Sequence, residues 1–73
     1  MSARARYSDA QAAAIAVDLA ETADAHDSLG DRLAALGYTV PARAWHDSAA
    51  RLRRYAAAAR EGGEHLTAMV HGR

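Results

Sequence analysis

The stretch LAALGYTVPARA, residues 33–44, contains the turn that decides the fold. Gly37 follows the last leucine of a periodic pattern, where a helix that ends in a Schellman motif needs a residue in the left-handed conformation. Pro41 then falls in the first turn of a new helix, where the missing N–H has no partner to lose. A connection of about four residues between long helices is typical of an antiparallel hairpin. The stretch therefore predicts two helices that fold back on each other.

The first helix is predicted over residues 9–36. Ser8 and Gln11 have the spacing of a capping box, in which each side chain bonds the backbone N–H of the other residue. Asp9 suits the positive end of the helix dipole, and no proline interrupts the pattern before Gly37. Residues 1–7 are predicted to be a flexible tail, and residues 8–71 a single helical domain.

The second helix is predicted over residues 41–70. Gly62 and Gly63 cost roughly 2 kcal/mol relative to two alanines and could stop the helix at Glu61. The hydrophobic period nevertheless continues through both glycines without a change of register. We therefore expect the helix to reach about Val70, kinked or loosened at the glycines.

Each helix carries a seam of residues spaced alternately by three and four, as in a coiled coil. The first seam consists of Ala12, Ile15, Leu19, Thr22, His26, Leu29, Leu33 and Leu36. The second seam consists of Ala42, Trp45, Ala49, Leu52, Ala56, Ala59, Gly63, Leu66 and Val70. With the turn centred near residues 38–39, facing residues have numbers that sum to about 77. This register predicts Asp24 near Arg53 and Asp27 near Arg51.

Composition limits the chain to one small domain. It has 73 residues, a net charge of zero and no cysteine, and more than half of its hydrophobic residues are alanine. A core of this kind supplies only about 3–5 kcal/mol, so small domains usually add a disulfide, a metal or a partner chain. All nine basic residues are arginine, which together with the alanine content indicates a bacterial gene. No signal peptide or membrane span is evident, so a cytoplasmic location is expected.

Small residues form a second line on the first helix, called the alanine stripe. It consists of Ala13, Ala16, Ala20 and Ala23. Tyr55 and Met69 lie beside the second seam. A lone hairpin would leave these faces in water, so they are predicted interface residues of a homodimer or higher oligomer, most simply a four-helix bundle. The alternative is that alanine serves only as a good helix former on a solvated face.

Thr22 and His26 make two consecutive layers of the first seam polar. They could line a polar pocket between helices or fix the register of a bundle, and the plainer alternative is a histidine hydrogen-bonded at the bundle edge. Arg51, Arg53 and Arg54 are candidate contacts for an anion or partner, and a solvated, salt-bridged face is the favoured interpretation of these arginines. Glu61 and His65 lack the Glu-x-x-His spacing of di-iron bundles, so no metal is predicted.

Residues 23–56 resemble one tetratricopeptide-type helical hairpin. The motif's leucine, glycine, turn and two small residues correspond to Leu29, Gly30, Gly37, Ala42 and Ala49. Its aromatic and proline positions are occupied instead by His26, Leu33, His46 and Arg54. The layout is also similar to the small WXG100 secreted proteins of type VII systems, with Trp45-His46-Asp47 in place of their motif. Both resemblances imply a helical hairpin, and neither assigns functional residues.

The leading functional prediction is a small non-enzymatic interaction or assembly module, an adaptor or regulator that binds itself and another protein through its helix faces. The alternative is a small-ligand or catalytic bundle with a polar pocket around His26 and Thr22. A third prediction is a nucleic-acid-associated regulator that uses the arginines of the second helix. No catalytic residue, cofactor or membrane partner is predicted, and nucleic acid is the less favoured partner.

Overall fold

The computed structural model describes residues 6–72, and 85% of these residues are helical, with no strand among them. Helix α1 spans Asp9–Ala35, α2 spans Thr39–Arg60 and α3 spans Gly63–Val70. The all-helical prediction is confirmed, but the described chain has three helices rather than two. None of the three is both long enough and apolar enough to cross a membrane. Residues 1–5 of the predicted tail lie outside the described residues.

The predicted capping box starts α1. The Gln11 backbone N–H donates to Ser8 Oγ at 3.1 Å, and the Ser8 N–H donates to Gln11 Oε1 at 2.9 Å. Tyr7, which precedes the box, donates its backbone N–H to Thr67 Oγ1 at 3.0 Å. The start of α1 is therefore tied both to its own first turn and to α3.

The predicted Schellman end closes α1. Gly37 has a φ of 86°, its N–H donates to the Ala34 carbonyl, and the Tyr38 N–H donates to the Leu33 carbonyl at 2.9 Å. The second helix begins at Thr39, two residues before the predicted start, so Pro41 still lies in its first turn. The turn is therefore centred on Gly37 rather than on residues 38–39.

The prediction of one helix from 41 to 70 is wrong, because the chain breaks at Gly62. This residue has φ 124° and ψ 170°, a conformation that side chains with a Cβ rarely adopt. The break redirects α3 so that Leu66, the largest fully buried side chain of the described residues, packs against Ala12 and Ala59. Burial of Leu66 and the new contacts of α3 with α1 offset the loss of a continuous helix.

Contacts across the pair show that α1 and α2 run antiparallel. His26 meets Ser48 and, on the other side of the pair, Asp27 meets His46. Residue numbers in these two contacts sum to 73–74 instead of 77, as expected for a turn centred on Gly37. The difference is close to one helical turn, and it decides which side chains of the two helices meet.

Small residues, called the contact line, occupy the centre of the helix–helix contact. In α1 the line is Ala12, Ala16, Ala23 and Gly30, and in α2 it is Ala42, Ala49, Ala56 and Ala59, all of them buried. The predicted first seam therefore lies to one side of the true contact face of α1. Its members Thr22 and Leu36 are exposed, whereas Ala16 and Ala23 of the alanine stripe are buried inside the chain. Small residues let helix axes approach closely, which leaves larger side chains at the flanks.

Candidate interaction surface

The larger apolar side chains of α1 and α2 flank the contact line on one side of the helix pair, here called the apolar side. Its members are Ile15, Leu19, Leu29, Leu33, Trp45, Leu52 and Tyr55, and each of them is half-buried. At one end, Leu66 of α3 covers Ile15 and Tyr55. Over the rest of its length these side chains stay partly exposed, whereas the exposed large apolar residues of the described chain lie outside this side: Val17, Leu36, Tyr38, Val40 and Val70.

The molecule is thin, and its accessible surface is large for its mass. The molecule measures 49 × 23 × 15 Å, which is a single layer of helices. Its accessible surface is 5205 Å², whereas a compact monomer of 7.7 kDa exposes roughly 4,300 Å².

A polar pair interrupts the apolar side at its middle. His26 Nδ1 lies 2.9 Å from Ser48 Oγ, and the imidazole contacts the Trp45 ring edge-on, with centroids 4.9 Å apart and planes at 79°. Leu19 and Leu33 each lie seven residues from His26 and therefore occupy the layers above and below it. The pair is thus the one polar layer between apolar layers.

Within the described chain, Thr22 and His26 do not line a common pocket between the helices. Thr22 is exposed, and its hydroxyl donates to the backbone carbonyl of Asp18 at 2.8 Å, within its own helix. His26 finds its partner on α2 instead. Because α2 starts two residues early, Ser48 stands where the predicted register placed Arg51, and sequence reasoning missed this serine for that reason.

A Ser–His contact of this length is also half of a nucleophile–base arrangement. Ser48, however, lies in the interior of α2, where neighbouring backbone N–H groups are committed to the helix and cannot stabilise an oxyanion. Among residues 6–72, no group of three His, Asp or Glu side chains could hold a metal ion. The chemistry of the pair is therefore that of a hydrogen-bonded polar layer.

Charged side chains join the helices on the opposite side, in a group called the ionic strip. Its members are Asp24, Asp27, Asp31, His46 and Arg53. Arg53 bonds Asp24 at 2.8 Å, as the sequence predicted, and it also bonds Asp27, which was predicted to lie near Arg51. His46 lies over Gly30, with Nδ1 2.8 Å from Asp27 and Nε2 3.3 Å from Asp31.

Two pKa values are shifted in the ionic strip. Hydrogen bonds from His46 and then from Arg53 lower the pKa of Asp27 below its ordinary value. Hydrogen bonds to Asp27 and then to Asp24 raise the pKa of Arg53. Both shifts favour the charged forms that hold α1 against α2, so the ionic strip is a structural link between the helices.

The other predicted interface residues are divided between core and surface. Ala13 is exposed and Ala20 is half-buried, and together with Val17 they line a shallow groove of about 660 Å³ beside the end of α2. Tyr55 packs against the Leu66 cluster, and Met69 is half-buried on α3. The alanine stripe is thus not one continuous free surface.

The predicted arginine cluster is also divided. Arg53 is bound in the ionic strip, whereas Arg51 and Arg54 are exposed and form no ion pair within the described part of the chain. The three guanidinium groups therefore do not converge on one site.

Comparison of the chain with protein-family models, with curated proteins and with solved structures gives no match. The candidate surface therefore has to be interpreted from its own geometry.

Proposed function

We propose that this protein is a non-enzymatic assembly module that pairs with a second copy of itself through the apolar side, forming a four-helix bundle. One observation carries the proposal: the large apolar side chains of α1 and α2 lie only half-buried on a single side, while alanine and glycine occupy the contact between the helices. In this role the chain acts as an adaptor or regulator by assembling, not by catalysis.

The physical reason is the thickness of the molecule. A helix pair is one layer, and domains become stable by packing a second layer on the hydrophobic face of the first. Exposed apolar patches of several hundred Å² mark association sites in soluble proteins. A second copy brings an apolar side of the same size and shape, so one two-fold contact covers both surfaces.

Charges at the borders of the apolar side favour the same arrangement. Asp18 borders the α1 edge and Arg51 borders the α2 edge, and both side chains are exposed. When α1 of one copy lies over α2 of the other, each acidic edge faces a basic edge. Such rim pairs contribute little affinity, but they favour the orientation that brings opposite charges together.

The resemblance of residues 23–56 to a tetratricopeptide-type hairpin agrees with this proposal, because a hairpin of that kind is stable only when a neighbour stacks on it. The other two functions have less support. A ligand pocket would need Thr22, whose hydroxyl is bound within its own helix, and a nucleic-acid site would need Arg53, which is bound to Asp24 and Asp27.

The test is the solution mass of three proteins at micromolar concentration, measured by sedimentation equilibrium. We expect the wild type to have about twice the chain mass of 7.7 kDa. The variant Leu52→Arg places a charge on the apolar side and should be monomeric. The matched control is Val17→Arg, because Val17 is 57% exposed and lies on α1 away from the apolar side.

Circular dichroism of each variant checks that its helices still form. A wild type of monomer mass over the whole concentration range would refute the proposal. A dimer broken by Val17→Arg and kept by Leu52→Arg would move the interface to the groove beside Ala13 and Ala20.

A further inference from the structure

We propose that the His26–Ser48 pair makes self-assembly sensitive to protons: the pair is compatible with the dimer while His26 is neutral and opposes it once His26 is protonated. The inference rests on the proposed function, because it needs the apolar side to be covered by a second copy. It adds a control element that the apolar contacts alone do not provide.

The first argument is the position of the pair. His26 lies midway between Leu19 and Leu33 on α1, and Ser48 lies midway between Trp45 and Leu52 on α2 to within a residue. A two-fold axis through the middle of the apolar side therefore brings the pairs of both copies into one layer. Each dimer then encloses two imidazoles between apolar layers.

The second argument is the electrostatic surroundings of His26. Its contacts on α2 are Ser48 and Trp45, both uncharged. Asp27 follows His26 in α1, but both of its carboxylate oxygens are bound on the other side, to His46 and Arg53. On α2, the charged neighbours Asp47 and Arg51 are exposed. Helix α3 packs at one end of the two long helices, against Ala12 and Ala16, and not at His26.

A neutral imidazole in this place satisfies Ser48 with one hydrogen bond, and the layer stays free of charge. Protonation places a cation in this layer, and because of the two-fold symmetry the dimer then holds two such cations. In the monomer the half-buried ring can be hydrated, whereas in the dimer water is excluded and no carboxylate contact compensates the charge. The proton therefore binds the monomer more readily than the dimer, and acid shifts the equilibrium toward monomer.

The change of Kd with pH is limited by the number of His26 side chains in the dimer. Two histidines per dimer allow dissociation to be linked to at most two protons, which corresponds to a rise in Kd of at most about a hundredfold per pH unit. Histidine is the side chain that changes charge between about pH 5 and 8. We expect the Kd of the wild-type dimer to rise at least roughly tenfold between about pH 7.5 and 5.5.

The experiment measures Kd by sedimentation equilibrium at these two pH values for the wild type, His26→Leu and His46→Asn. His26→Leu should dimerise equally well at both values, because the layer can no longer be charged. His46→Asn is the matched control: it removes another half-buried histidine, from the ionic strip, and should keep the pH response of the wild type. His26→Gln is a second variant that keeps a polar group and should also lose the response.

The outcomes separate this inference from the proposed function. A wild type that is monomeric at about pH 7.5 overturns the assembly itself. A wild-type dimer with the same Kd at both pH values overturns only the proton control. The control is equally overturned if both His26 variants keep the wild-type response, or if His46→Asn abolishes it.

Discussion

Asp27 is the residue that connects the two long helices most directly. Its Oδ1 lies 2.8 Å from His46 Nδ1, and its Oδ2 accepts a hydrogen bond from Arg53. Both partners lie on α2, one helical repeat of seven residues apart, so a single carboxylate holds two levels of the neighbouring helix. Its pKa is lowered first by His46 and then by Arg53, which means that the folded state favours the ionised form.

We expect Asp27→Asn to destabilise the protein at neutral pH and to have less effect in acid. A carboxylate with a lowered pKa in the folded state contributes stability above its ordinary, unfolded pKa, and this contribution is lost as pH falls through the folded pKa. The difference in the free energy of unfolding between the two proteins is measured by urea denaturation, at the same protein concentration, from about pH 7 down to about pH 3. Asp24→Asn is the control and should cost less, because Asp24 has one contact and its side chain is 78% exposed. A constant difference at all pH values would contradict the assignment.

The sequence predicts these side-chain contacts correctly only if the register of α2 against α1 is known. The pair of Asp24 with Arg53 was predicted, because Arg53 reaches it in either register. Asp27 was assigned to Arg51 and Ser48 was overlooked, because the turn was centred one to two residues too late. The physical cause is that α2 begins at Thr39, before its proline, and no side chain of α2 caps this start to mark it.

At the scale of helices, the residues that mark helix ends predicted the structure better than the spacing of hydrophobic residues did. The capping box at Ser8 and the Schellman end at Gly37 were both predicted, since local hydrogen bonds fix them. The sequence did not predict how α1 is rotated about its axis relative to α2. The spacing of the large residues does not show that alanines at the same spacing let the two helices approach more closely. A stop at Glu61 was considered for α2 but a longer, kinked helix was favoured, since the period continues through Gly62 and the break depends on tertiary contacts of α3.

Two glycines test how these elements fit together. A Cβ on Gly63 would overlap the backbone carbonyl of Tyr7 and the backbone of Ser8, where nothing can move without separating α3 from α1. A Cβ on Gly30 would come within 2.8–3.0 Å of ring atoms of His46, which is a side chain rather than backbone but can shift only by weakening its contacts with Asp27 and Asp31. We expect Gly63→Ala to cost about 1–3 kcal/mol, as overpacking does. Gly30→Ala should cost less than Gly63→Ala, because a side-chain ring rather than backbone has to move and higher helix propensity offsets part of the loss.

Urea denaturation of the two glycine variants at equal protein concentration decides between these costs. Amide hydrogen exchange then shows whether Gly63→Ala loosens α3 alone or the whole chain. Equal stability of the two variants would mean that α3 can move away from the start of α1 without loss, contrary to the contacts of Gly63 with Asp9 and of Thr67 with Tyr7.

At the scale of the whole molecule, the structure combines a well-defined helix pair with an incomplete core. Leu66 is the only large side chain that the described chain buries completely, and the contact line supplies mainly alanine. Alanine allows close approach but removes little apolar area from water, so most of the available hydrophobic stabilisation lies on the apolar side. Sequence composition predicts that such a core needs a partner, and the rotation of α1 is the reason why we propose the apolar side for that contact.

If assembly completes the core, thermal stability must depend on protein concentration. Mass action favours the folded dimer at higher concentration, and an unfolding enthalpy of about 0.7 kcal/mol per residue gives a rise in Tm of roughly 5 °C for each tenfold increase. Circular dichroism melts of the wild type and Val17→Arg over a hundredfold concentration range should show this slope. Leu52→Arg should melt at a lower temperature that does not change with concentration, because its unfolding no longer includes dissociation. A wild-type Tm independent of concentration would mean that the half-exposed leucines contribute nothing through a second copy, and that the single layer of helices is stable alone.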